Sequence, residues 1–541
     1  LAVLLSISIP AQAAVIEQAH TKAQYNGSLL AADFEVSGTT LEPDIALPQS
    51  YSSLELGFTT PVRSQIYNTC WAYGSSATLE TKLLKDGLSV EHFAPMHMNY
   101  WGTKHEDGTG WARTYTGGGY AYISLGYFTS WQGPRLESDF SEYTSFSDYD
   151  IFNAISPKQV GVNSIIYLTG SDIDTIKTAI YEHGAVVGNY HVDESCYNSS
   201  TASYHCNIEG LTTAQMNGHC ISVVGWDDNY PKENFNEASR PESNGAWLCK
   251  NSWGSYWGNS GYYWISYEDE YLFSDKFGNS YAFTGYELYD PSRTLYQNEV
   301  DGATYEFDYI TNFNTITYIN VFDTDEGFPL IDKINFESTA QGASYVIYHI
   351  PVDTDGTPIK NMSYWTQIGS GTVDYKGYHS IDTTDFTLSD SKFAIGIAMT
   401  KSGGSGNSVG VCEWLSTGED NYIFTPATQK GESYLMLGSS TMMDLLDFYS
   451  YYEDDDIGGT FVIKAIGETS VLLGDVDMDN RLSILDATYI QRYLAELDEF
   501  NSKQMKCADT DGDGLISIYD ATKIQLTLAG SGSDFDDSED F

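Results

Sequence analysis

A chain of 541 residues exceeds what a single hydrophobic core serves, so about three to four domains are expected. Its 26 Lys and Arg stand against 75 Asp and Glu, a net charge of −49. That balance argues against a nucleic-acid or anionic-membrane partner and suits an extracellular protein or one that binds a cation. Hydrophobic residues at 41% still permit packed cores, and the 42 Tyr and 49 Gly point to a β-rich globular chain.

The first residues, LAVLLSISIPAQAAV, form an apolar run ending in the small-x-small pattern Ala11-Gln12-Ala13. They are expected to be the end of a signal peptide, residues 1–13, cleaved after Ala13. The run is too short to span a bilayer and no other segment looks transmembrane, so the mature protein is expected to be secreted. Residues 14–46 are a polar N-terminal or pro segment. Apolar residues then recur near helical spacing over 71–85, directly after SQIYNTC. A second helix is expected over 171–184, capped by Ser171 or Asp172 and stopped by Gly184. Beyond 215, HCISVVGW, GAWLCKNSW and GYYWISY read as strands. From 291 to 466 helical periodicity nearly vanishes, and short strands such as ITYINVF and KFAIGIAM suggest a β-sandwich. A 34-residue internal repeat follows, with GDVDMDNRLSILDATYIQ echoed by ADTDGDGLISIYDATKIQ. The acidic tail, 531–541, is expected to be disordered. Seven cysteines leave one unpaired, which flags a free thiol. Cys196 and Cys206 bracket a polar loop that a disulfide would close.

A cysteine nucleophile needs a lowered pKa, a histidine to shuttle its proton, a group to hold the imidazole, and donors for the oxyanion. The chain offers each. Cys70 opens a helix, where unpaired N–H groups favour an anion. Gln65 carries an amide just upstream. His219 stands where a glycine turn enters an apolar strand, and Asn251 ends a later strand beside Trp253.

The blocks Gln65…Cys70-Trp71-Ala72, Gly218-His219 and Lys250-Asn251-Ser252-Trp253-Gly254 resemble the papain-like cysteine peptidases, an α+β fold, over residues 47–290. The resemblance implies Cys70 as nucleophile, His219 as general base and acid, and Asn251 as imidazole orienter. It implies an oxyanion hole from Gln65 and the Cys70 backbone N–H, with Trp253 shielding the Asn251–His219 bond. Gly117, Gly118 and Gly119 fall where the family has a glycine wall, whose backbone pairs with an extended peptide substrate. No cofactor is implied for catalysis. The chain departs from the family in four places. Gln65 to Cys70 is one residue shorter than is common. The cysteine often found upstream of the nucleophile is absent, as is its usual partner beside the glycine wall. The 14–46 segment is shorter than the helical inhibitory prodomain of many relatives.

LYQNEVDG with ITYINVF resembles the lectin-like domain that follows some papain-like domains, and places it at 291–466. The aromatics Tyr345, Tyr348, Trp365 and Trp414 offer either sugar stacking or core packing.

In the repeat, Asp475, Asp477, Asp479, the Arg481 carbonyl, Ser483 and Asp486 occupy positions 1, 3, 5, 7, 9 and 12 of a calcium loop. Asp509, Asp511, Asp513, the Leu515 carbonyl, Ser517 and Asp520 repeat the pattern, so two calcium ions are expected. A loop followed by a single helix, twice, with a linker, resembles a small α-helical type I dockerin over 471–530. The resemblance implies a cohesin module of a scaffoldin as partner, and localisation on a cellulosome or cell surface. Positions 10 and 11, Ile484-Leu485 and Ile518-Tyr519, would form the contact. The reading is thus a multidomain secreted cysteine endopeptidase tethered to a scaffold. The alternative is an inactive papain-fold module that presents the lectin-like domain.

Overall fold

The computed structural model describes residues 17–18 and, between 39 and 529, all but 42–45, 104–109, 140–157, 212–214, 276–279, 291–292, 300–303, 307–308, 311–313, 325–329, 389–390, 401–409, 415–423, 426–428, 440, 453–457, 469–472, 479–480, 496, 499, 501 and 512–514. The apolar leader and the acidic tail lie outside the described residues.

The helix expected after SQIYNTC is Cys70–Lys85. It is buried on nearly every face, which is why its apolar residues mix with Ser75, Ser76 and Thr78 rather than forming one stripe. It lies on the strand Gly218–Asp227. Gly74 permits the approach, since a Cβ there would meet the Cys220 sulfur at 3.1 Å. Thr78 Oγ1 donates to Ser222 Oγ at 2.8 Å across the same contact. The helix Ile173–His183 covers another part of the sheet. Of its two candidate caps Asp172 is the one used, accepting the Thr175 N–H at 2.8 Å, and Gly184 ends the helix at φ +93°.

The predicted strands Gly218–Asp227, Ala246–Lys250 and Tyr262–Ser266 form consecutive antiparallel pairs, with Val186–His191 on the other side of the first. The sheet then continues through Tyr281–Leu288 and Val160–Tyr167 into the next domain. Gly377–Thr387 pairs with Val160–Tyr167 through Gly377↔Ile166 and Tyr378↔Ile165. Leu330–Ser338, Ile463–Glu468 and Arg293–Tyr296 follow in the same sheet. A separate six-stranded sheet that includes Thr315–Asp323 and Lys392–Thr400 packs on this extension. The expected β-sandwich is present, therefore, but one of its layers is continuous with the catalytic sheet. Its interior holds Ile316, Tyr318, Ile334, Phe336, Ile395 and Ile397, all buried.

A buried clasp joins the two domains. Lys464, fully enclosed, pairs with Glu299 at 2.8 Å and donates to Gln297 Oε1 at 2.9 Å and to the Thr129 carbonyl at 3.2 Å. Gln297 Nε2 donates to the Ser130 carbonyl at 3.1 Å. Thr129 ends the helix Ala121–Thr129, so the clasp satisfies carbonyls the helix cannot pair itself and puts a cation at its negative end. Residues 39–41 also bridge the domains, with Thr39 O accepting from Ser171 Oγ and Gln341 Nε2 donating to Thr40 O.

At the C-terminus the helices Ile484–Leu494 and Ile518–Leu528 pack on each other. Their shared core, Ala487, Ile490, Ala521 and Ile524, repeats at the sequence offset. The linker between them holds a further helix, Ser502–Ala508, which the sequence reading left as a plain connection. Its Cys507 and Ala508 complete this core.

Candidate active site and calcium loops

Of the catalytic residues expected from sequence, His219 and Asn251 are joined by a hydrogen bond, and Cys70 lies against the strand that carries His219. His219 is the second residue of its strand and is buried, as is Asn251 just beyond the end of the neighbouring strand. His219 Nε2 donates to Asn251 Oδ1 at 2.8 Å. The acceptor is an amide oxygen, so Nε2 carries the proton and Nδ1 is left as the basic nitrogen. Trp253 stacks on the imidazole at 4.6 Å between centroids, and Tyr190 meets it edge-on at 5.8 Å. The two rings fix the imidazole's plane and exclude water. Burial lowers the His219 pKa to about 4, against the upward pull of Asn251.

Cys70 is the first residue of its helix and its sulfur faces the backbone N–H groups of Cys220, Trp71 and Cys70 itself. The Cys220 contact brings the sulfur beside the strand that carries His219. Burial raises the thiol pKa and those N–H groups oppose it.

Gln65 is held by the loop that follows Asn251. Ser64 bridges to Trp253, the Gln65 N–H donates to the Ser252 carbonyl at 2.7 Å, and the Gly254 N–H donates to the Arg63 carbonyl at 3.0 Å. Ser252 Oγ donates to Gln65 Oε1 at 2.7 Å, and Gln65 Nε2 donates to the Tyr67 carbonyl at 2.9 Å.

Beneath these residues is a charged network that sequence reasoning missed. Glu80, fully buried, pairs with Arg63 at 3.0 Å and accepts the Phe93 N–H at 2.8 Å. Burial would raise its pKa, but Arg63, His92, Lys250 and Thr60 outweigh it and hold it at about 2. Lys250, next to Asn251, donates to the Thr60 carbonyl at 2.8 Å, and burial lowers its pKa to about 8. The Lys of the Lys-Asn-Ser-Trp-Gly block is thus an anchor for the loop that carries Asn251.

The glycine wall is held by Arg113, another residue the sequence reading passed over. Its buried guanidinium donates to the Gly118 carbonyl at 2.8 Å, the Gly117 carbonyl at 3.0 Å and Asn99 Oδ1 at 2.7 Å. Arg113 also lies over the Trp71 ring at 5.1 Å. The carbonyls of Gly117 and Gly118 are therefore engaged by Arg113. Gly119 has a second constraint, because a Cβ there would lie 2.5 Å from Trp71 Nε1. The only advance signal for Arg113 was a lone arginine ahead of a glycine run.

Cys196 and Cys206 are both buried free thiols that hydrogen-bond to each other, so the structure places them in contact without the disulfide bridge. Tyr345 and Trp365 are buried in the sandwich and Tyr348 packs at its edge, so these three serve packing. The Trp414 side chain lies outside the described residues.

The repeat forms two matching loops. Asp475, Asp477 and Asp486 bring one carboxylate oxygen each within 4.8 Å of one another, and Asp509, Asp511 and Asp520 do the same. Three convergent hard oxygens in each loop fit Ca²⁺. Asp479 and Asp513 lie outside the described residues. Asp486 and Asp520 have a second task. Asp486 accepts the Val476 and Ser483 N–H groups at 2.8 and 2.7 Å, and Asp520 accepts those of Thr510 and Ser517 at 2.8 Å each. Ser483 and Ser517 act as helix N-caps within capping boxes, accepting the Leu485 and Tyr519 N–H groups. Ile484, Leu485, Ile518 and Tyr519 stay 53–74% exposed at the two helix starts.

The family described as papain family cysteine protease matches residues 47–278, the lectin-like domain matches 295–466, and the dockerin type I domain matches 473–528. The solved protease and lectin-like domains of Cwp84, a surface layer associated protein of Clostridium difficile, are 31% identical. They align over 80% of this chain and 90% of that one, with a TM-score of 0.69. A second Cwp84 structure, after propeptide cleavage, is 30% identical over 78% of this chain and 99% of that one, with a TM-score of 0.68. Mouse cathepsin K is 25% identical over 40% of this chain and 59% of its own length. Cathepsin B-like cysteine proteinase 3 of Caenorhabditis elegans is 26% identical over 24% and 31%. The chain thus spans under two thirds of these two curated relatives. No helix among the described residues is long and apolar enough to cross a membrane.

Proposed function

Since the chain belongs to the papain family of cysteine proteases and carries lectin-like and type I dockerin domains, we propose that it is an endopeptidase acting through Cys70, His219 and Asn251. The observation that carries this reading is the His219 Nε2–Asn251 Oδ1 bond, which fixes the tautomer with Nδ1 as base. Cys70 Sγ attacks the scissile carbonyl as its proton passes to His219 Nδ1. The Gln65 amide and the Cys70 backbone N–H receive the oxyanion. The imidazolium, steadied by Asn251, then protonates the leaving amine, and water activated by the same ring releases the acyl group. Gly119 pairs with the substrate backbone, and Trp253 keeps water from the His219–Asn251 bond.

The dockerin would hold two Ca²⁺ ions through its aspartates and present Ile484, Leu485, Ile518 and Tyr519 to a cohesin on a scaffold outside the cell. An extracellular or cell-surface setting fits both the dockerin and the surface-layer association of Cwp84. The lectin-like domain acts as a brace, because Lys464 and Gln297 clasp the helix that follows the glycine wall. The test is labelling with a peptidyl epoxide, wild type beside Cys70→Ala, with peptide mapping. Stoichiometric labelling at Cys70 is expected. Its absence in a folded, calcium-loaded sample would overturn the reading in favour of an inactive module.

A further inference from the structure

Tyr67 stands three residues before Cys70 with a left-handed backbone, φ +57°, and half its surface exposed. A tyrosine rarely takes this conformation without a compensating role, and such outliers concentrate at functional sites. Here the conformation aims the Tyr67 carbonyl at Gln65, whose Nε2 donates to it at 2.9 Å. Ser252 Oγ holds the other end of the same amide at 2.7 Å. A primary amide has one acceptor and two donors. With the oxygen held by Ser252 and one N–H held by Tyr67, the amide plane is fixed and the second N–H remains for the substrate.

The Tyr67 ring is held in turn. It meets the Tyr115 ring edge to face at 5.9 Å and 67°, and Asn99 Nδ2 fixes the Tyr115 carbonyl at 2.9 Å. Asn99 Oδ1 is bound by Arg113, the residue that holds the glycine wall. On the other side, Thr69 Oγ1 donates to the Ile66 carbonyl, closing the short loop before the nucleophile. The Gln65–Cys70 loop is one residue short of the common family length, and the Tyr67–Tyr115 contact is what spans from that loop to the wall.

We propose that Tyr67 is a positioning residue for the oxyanion donor: its carbonyl, held in place by the ring contact with Tyr115, orients the Gln65 amide so that its free N–H meets the developing oxyanion. This rests on the endopeptidase reading above and adds a requirement that reading does not contain. An oxyanion donor acts only once the carbonyl has been attacked, so its misplacement should slow turnover without slowing simple alkylation of the thiol.

The test uses the full calcium-loaded chain with Tyr67→Gly, Tyr67→Phe and Tyr115→Leu variants. Tyr67→Gly keeps the left-handed backbone but loses the ring. Tyr115→Leu removes the contact from the far side and leaves the strained residue untouched. Three quantities are read: kcat on a peptide amide, the inhibition constant of a peptide aldehyde, and the rate of Cys70 alkylation by iodoacetamide. Tyr67→Gly and Tyr115→Leu are expected to lower kcat by about tenfold, short of the ~10²–10³-fold loss that follows removal of an oxyanion donor. Aldehyde inhibition should weaken in parallel, alkylation should match wild type because it follows the thiol's own pKa and exposure, and Tyr67→Phe should behave as wild type. Unchanged kcat in both ring-loss variants would overturn the inference, and so would kcat and alkylation falling by the same factor, the mark of general loosening. Failure of wild-type Cys70 to react would instead sink the endopeptidase reading and this inference with it.

Discussion

The cleft and the C-terminal loops gather polar groups by opposite means. The cleft draws Gln65, Cys70, Gly119, His219 and Asn251 from elements far apart in sequence and locks them with buried partners, notably Glu80, Lys250 and Arg113. Each calcium loop takes its carboxylates from twelve consecutive residues, and its last aspartate ties the loop to its own helix. The cleft therefore depends on the whole α+β core. The loops depend on little beyond themselves and an ion to offset their charge.

Several outcomes would break or sharpen this contrast. The largest effect is expected at the nucleophile. Cys70→Ala should remove about 10⁶-fold from kcat. Asn251→Ala should cost far less, because Trp253 and Tyr190 still pin the ring. Equal losses in peptide hydrolysis would mean that the imidazole depends wholly on the Asn251 bond.

Calcium removal is the next in size. A chelator should unfold residues 473–528 and abolish cohesin binding while the thermal transition of the peptidase domain stays in place. Cohesin binding retained in chelator would show that the loops fold without their ion.

A smaller effect is expected from Gly119→Ala. The new Cβ would lie 2.5 Å from Trp71 Nε1, on a ring buried on all sides. Overpacking of this kind costs about 1–3 kcal/mol, to be read as a shift in denaturant midpoint. A stability equal to wild type would mean that the glycine wall can move away from Trp71.

The smallest effect is a slope with pH. His183, His219 and His379 are held at about 4 by burial, below their ordinary 6.5. The folded state resists taking up their protons, so stability is full above pH 6.5 and is lost as pH falls from 6.5 through 4. Asp269 works the other way, since burial raises its pKa to about 6, and its contribution is lost as pH rises through that value. Within the peptidase domain His183 and His219 outweigh Asp269, so that domain should lose stability on acidification across this window. Glu80 joins only below pH 4.5, its ordinary value, as the pH nears 2. His183→Gln should flatten the slope, and an unchanged slope would place the acid response elsewhere.

Much of the site was legible because its chemistry is written in local blocks. Cys70 at a helix start, His219 at a strand start and Asn251 at a strand end fall where the sequence put them. The calcium loops were more legible still, since ligand spacing in one loop is itself a sequence property. What was missed is the support around these residues. Arg113, Glu80 and Lys250 are charged residues that sequence alone reads as solvated, and only the packing buries them. The helix Ser502–Ala508 escaped notice because seven residues carry too little periodicity to announce it.

The sequence by itself determined the identity and order of the candidate reacting groups, the spacing of the carboxylates and the alternation of strands, because these follow from residue chemistry and short-range geometry. Tertiary structure decided the rest. The second domain shares a sheet with the first, and its Lys464 clasps the helix beside the glycine wall. The short nucleophile loop keeps its amide in place through a tyrosine carbonyl and a serine hydroxyl. Such contacts join residues up to several hundred positions apart, and their energy comes from burial, which exists only once the chain has folded.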